Sequence, residues 1–81
     1  MVNMHQIPLA ELLINERAVI LSFSIGRPET NRLVSLGFTP GTKVDMTQNY
    51  RHGPVIVTIR GTRVALGRSE AAKILVERNP E

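Results

Sequence analysis

The sequence predicts a mainly β protein: a small antiparallel barrel of about five strands, with one short helix after the first strand and short helical turns near both termini. Three observations carry that expectation. Runs rich in Val, Ile and Leu alternate with polar residues at the period of two that a half-buried strand requires. Gly, Pro and Asn stand between the runs, where tight turns need them. The length, 81 residues, suits a single domain with a thin core. Such a chain buries short apolar strands best by curling the sheet, which also hides its edges.

Each element follows in order. Residues 7–13, IPLAELL, read as one short helical turn. Pro8 suits a first helical position, and Leu9 with Leu12 or Leu13 would face inward at helical spacing. The chain then turns, and Asn15 is a side chain that tolerates a left-handed backbone. Residues 17–25, RAVILSFSI, form the first strand. Simple alternation puts Val19, Leu21 and Phe23 on one face and Ala18, Ile20 and Ser22 on the other. Gly26 ends the strand. Pro28 opens the helix near its first position, and Glu29 complements the positive end of the helix dipole. Leu33 and Leu36 share a face.

Residues 36–44, LGFTPGTKV, hold the densest punctuation in the chain. Gly37 is placed to stop the helix in a left-handed conformation, with Phe38 packing back on Leu33 as a Schellman motif prefers. Thr39-Pro40-Gly41-Thr42 has the type II arrangement, Pro second and Gly third. Val44, Met46 and Gln48 begin a strand that reaches Tyr50. Arg51-His52-Gly53-Pro54 is a hairpin loop, and residues 55–60, VIVTIR, return from it. Arg60-Gly61-Thr62-Arg63 is a tight turn into the short strand Val64-Ala65-Leu66. Ser69 caps a helical turn over 69–74. Leu75-Val76-Glu77 is the closing strand, so the core runs over about 7–77 and residues 78–81 are a tail. Asn15, Gly37, Pro40, Gly41, Gly53, Pro54 and Gly61 are therefore read as turn residues that determine the fold, not as a ligand site.

The ordered series Leu33-x-x-Leu36-Gly37-x-x-Pro40-Gly41-Thr42-x-Val44, then Gly53-Pro54, then Val57-x-Ile59-Arg60-Gly61-Thr62-Arg63-Val64-Ala65-Leu66, then Ala71 and Val76-Glu77, resembles the FeoA family. The opening Ile7-Pro8-Leu9 followed by Leu12 is similar as well. These are SH3-like barrels associated with bacterial ferrous iron transport. The chain departs from the family's usual pattern in three places: Asn15 stands where Gly is common, Gly53 and Pro54 are adjacent without an acidic residue between them, and Gly67 follows Leu66. The resemblance implies a non-catalytic, cytoplasmic accessory protein. Its expected partner is the membrane ferrous iron transporter FeoB, which carries a GTP-binding domain and would recruit it to the inner face of the plasma membrane.

The residues are consistent with that expectation and add limits. The chain has no Cys, and its histidines are two, His5 and His52. Neither has a second ligand at metal spacing, so no cofactor is predicted; they are the only weak candidates for Fe(II) or another divalent metal. No P-loop pattern is present. The longest apolar runs fall far short of the ~20 residues of a membrane-spanning helix, so no direct membrane insertion is expected. Ten basic and seven acidic side chains give a net charge of +3. The alternative reading is a nucleic-acid-binding or iron-sensing regulatory SH3-like module. Phe23, Phe38 and Tyr50 are the only aromatics, too few for base stacking, and no nucleic acid is expected. Partner binding is assigned to exposed groups on two loops: Tyr50, Arg51 and His52 on one, and Arg60, Arg63 and Arg68 around the other. Homo-oligomerisation is left open.

Overall fold

The structure, a computed structural model, describes residues 5–50 and 52–78. Its elements are β1 (Gln6–Pro8), a 3-10 turn (Leu9–Glu11), β2 (Arg17–Phe23), α1 (Arg27–Ser35), β3 (Lys43–Gln48), β4 (Val55–Ile59), β5 (Thr62–Leu66), α2 (Arg68–Ala71) and β6 (Ile74–Arg78). All strand pairs are antiparallel, in the order β1-β6-β2-β3-β4-β5. The architecture is the mainly β, SH3-like one, with six strands among the described residues instead of the five expected.

The additional strand is β1, and Pro8 explains it. Pro8 is extended (φ −63°, ψ 145°) and precedes the 3-10 turn, so it is not the first helical residue. It lies opposite Leu75 on an edge strand, where a residue without an N–H is tolerated. The turn that follows buries Leu9 and Leu12 and leaves Leu13 exposed. Other boundaries move: β3 stops at Gln48, short of Tyr50, β5 already starts at Thr62, and β6 at Ile74. β2 stops at Phe23, before Ile25. Gly67, not Ser69, caps α2, and the Glu70 carboxylate reaches back to accept the Gly67 N–H at 3.3 Å. Arg78, expected in the tail, lies in β6 opposite Ala18; Asn79, Pro80 and Glu81 lie outside the described residues.

One core runs through the sheet. Ala18 and Ile20 of β2, Val44 and Met46 of β3, Val55, Val57 and Ile59 of β4, and Ile74 and Val76 of β6 all point into it. Among the described residues no polar or charged side chain is buried. The first strand's faces are not those of simple alternation. The ladder with β6 shifts register between Ile20 and Ser22. This bulge admits an extra residue and turns Phe23 back against the core that Ala18 and Ile20 already line.

α1 is fastened at its C-terminal end. Leu33 is its one buried residue. The Phe38 N–H bonds the Leu33 carbonyl at 2.9 Å and the Gly37 N–H bonds that of Val34 at 3.0 Å, the two bonds of a Schellman motif. Gly37 has φ 107°, and Phe38 is fully buried. Leu36, on the same face by sequence, ends outside the core because it is the C-cap residue. Beyond it, Gly41 has φ 91° and the Thr42 N–H bonds the Thr39 carbonyl at 3.0 Å. The chain is thereby aimed into β3.

Candidate functional site

The two candidate loops stand at opposite ends of β4 and β5. The β3–β4 loop is held from below. Asn49 donates both amide hydrogens, to the Ala10 carbonyl at 2.9 Å and the Leu12 carbonyl at 2.8 Å. Its own carbonyl accepts from Arg68 at 2.7 Å. Arg68 also donates to the Tyr50 carbonyl and, through Nε, to Gly53 O at 3.3 Å. Tyr50, His52, Gly53 and Pro54 are exposed on this platform; Arg51 lies outside the described residues.

Arg68 is thus a brace between the start of α2 and the β3–β4 loop. The sequence grouped it with Arg60 and Arg63 because the three are close along the chain. β5 runs between them, and at ~3.3 Å per residue an extended strand carries Arg68 to the far end. Arg60 and Arg63 stay together at the β4–β5 turn. Ile59 pairs with Thr62, so the loop is two residues, Arg60 and Gly61, both with positive φ (52° and 79°). That is the type I′ turn whose twist suits a hairpin. Arg in its first position is uncommon, because a side chain crowds the left-handed backbone.

Arg60 lies over the bare backbone of Gly37: a Cβ built there would stand 3.1 Å from Arg60 Cδ. Between them a groove of about 430 Å³ opens, lined by Val34, Ser35, Leu36, Gly37, Thr39, Ile59, Arg60 and Thr62. Val34 and Leu36 are 43% and 37% exposed, apolar surface that no described residue covers. Neither Asn49 nor this groove was anticipated from sequence. The Arg-Gly dipeptide between two alternating runs did mark the hairpin, but no pattern of residues places it against the end of a helix.

Ion pairs fix the surroundings. Arg32 on α1 bonds the Glu70 carboxylate on α2. That hydrogen bond holds the Glu70 carboxyl below the usual glutamate range, with its bond to the Gly67 N–H and the charge of Arg32 adding to the effect against partial desolvation. Arg17 pairs with Asp45 across β2 and β3 at 2.7 Å, and the Asp45 hydrogen bond keeps the guanidinium still more firmly protonated. Arg78 Nε lies 3.0 Å from Glu16, out of line for a hydrogen bond. His5 and His52 sit on different elements, and among the described residues no group of three or more His, Cys, Asp or Glu could hold a metal ion. No helix among them is long and apolar enough to cross a membrane.

Comparison with known proteins agrees with this architecture. A candidate Fe(2+) transport protein A of Methanocaldococcus jannaschii is 37% identical over 70 residues, 86% of this chain and 84% of that one. A crystal structure of an iron uptake regulatory protein, FeoA, superposes with a TM-score of 0.86 at 27% identity, covering 91% of this chain and 99% of the other. FeoA of Stenotrophomonas maltophilia, a procaryotic SH3 domain protein solved with zinc, gives 0.75 at 32% identity over 85% and 87% of the two chains. The FeoA domain family matches residues 7–78, from the edge strand to the end of β6, and the chain belongs to that family.

Proposed function

We propose that this chain is a non-catalytic accessory protein of ferrous iron uptake, one that binds a FeoB-type membrane transporter on its cytoplasmic side and modulates it. The observation that carries the reading is the family match over the whole barrel. The chemistry of the surface supports it. Among the described residues, charged side chains are tied in pairs across neighbouring elements, brace a loop as Arg68 does, or stand in solvent. Among those residues they are not gathered around a metal cluster of the kind a catalytic site would use. What the surface offers instead is a braced loop carrying Tyr50 and His52, and a groove beside Arg60 where Val34 and Leu36 are exposed. These are features of recognition.

The test is direct. The purified chain is mixed with the full-length transporter reconstituted in nanodiscs, and association is followed by size-exclusion chromatography and calorimetry. A stoichiometric complex is expected, as is reduced Fe(II) uptake in cells that lack the chain. Absence of any association, with uptake unchanged by deletion, would sink the proposal.

A further inference from the structure

The groove between α1 and the β4–β5 turn carries an inference about what it holds. Its walls are Val34 and Leu36 on one side and Ile59 and Thr62 on the other. Arg60 reaches over it from the turn, exposed, with no hydrogen bond or ion pair to the described residues. Arg60 is the one cation among the lining residues; Lys43 and Arg63, exposed on the neighbouring strands, do not line the groove. No carboxylate lines the groove. Exposed Val34 and Leu36 beside one unpaired cation are complementary to a segment that offers an apolar group and an anion together.

The backbone at this place is also strained in a way the fold does not need. A two-residue type I′ turn is best served by Asn-Gly or Gly-Gly, yet residue 60 is Arg at φ 52°. The opposing helix end presents Gly37, whose missing side chain leaves the space that the Arg60 stem fills. Strain kept where a better residue is available is a mark of binding sites. We propose that this groove binds a linear peptide segment in which an apolar side chain stands beside one or more carboxylates. The apolar group packs against exposed Val34 and Leu36, and Arg60 donates to the carboxylate. This rests on the partnership proposed above and assigns the segment to the transporter.

The test uses the full chain and the full-length transporter in nanodiscs of neutral lipid. Arg60→Asn keeps a residue suited to the left-handed turn and removes the cation. It is expected to raise or leave unchanged the melting temperature while weakening binding by about tenfold or more, the loss of one charge-assisted hydrogen bond. Leu36→Asp should weaken binding comparably, and Lys73→Asn, a like charge change elsewhere, should not. Wild-type affinity should fall as salt rises. If the wild type binds and both groove variants bind equally well, the groove assignment fails and the partnership stands. If the wild type does not bind at all, both fail. Loss of capture by phosphatidylserine vesicles in Arg60→Asn, with transporter binding intact, would make this face a lipid contact and overturn the assignment.

Discussion

Gly37 and Asn49 show how single positions bear on the structure by different routes. Gly37 stands at φ 107°, with the Arg60 stem 3.1 Å from where a Cβ would be. Gly37→Val is expected to destabilise the protein by about 1–2 kcal/mol from backbone strain, read from urea denaturation, and to push Arg60 out of place. Asn49 acts through hydrogen bonds. Its amide satisfies two carbonyls of the N-terminal segment and its oxygen receives Arg68. Asn49→Ala leaves those partners unmet and should cost about 1–3 kcal/mol, measured in the same way. The first of these was legible in the sequence, because Leu-Gly-Phe after an amphipathic run is a helix stop with a local mechanism. The second was not. Asn49 follows a strand in a polar stretch, and its partners lie 37 and 39 residues away along the chain. Local pattern cannot report a contact at that separation.

Among the elements, α1 has the thinnest attachment. Leu33 is its one buried side chain, the Schellman bonds hold its end, and Arg32 reaches Glu70 on α2. Leu33→Ala is expected to destabilise by about 2–5 kcal/mol and to raise amide exchange over residues 27–36 more than in the sheet. The ion pair adds a pH dependence. Glu70 has a lowered folded-state value against an ordinary value of 4.5. Its contribution is therefore fully present above the ordinary range and is lost as pH falls through the folded value. Acid titration should show a drop in stability below about pH 4.5 that is smaller in Glu70→Gln, with denaturation midpoints as the readout. At this scale the sequence reading was good for type and weaker for edges. The five strands it named all exist. It missed β1 because Leu9, Leu12 and Leu13 spoke for a helix, and three residues of edge strand carry too little alternation to compete. The shift of faces in β2 was equally hidden, since a bulge is set by pairing with β6 and not by the strand's own residues.

For the whole molecule, the decisive feature is that β6 lies between β1 and β2. Removing residues 74–81 takes away a strand paired on both sides, along with buried Ile74 and Val76. The truncated chain is expected not to fold, seen as collapsed amide dispersion in its NMR spectrum. The curled sheet was legible from the strands' shortness and the turns between them. The order of the strands was not, because antiparallel neighbours distant along the chain leave no mark on either one's composition. That order has a consequence for how the protein is born. Synthesis delivers β6 after the other five strands, yet two of them are joined only through it. A nascent chain still tethered in the ribosome tunnel short of residue 78 holds an unfinished sheet with an open seam. Maturation of this barrel therefore awaits the final codons of its last strand, and until then the exposed seam is a natural target for chaperones.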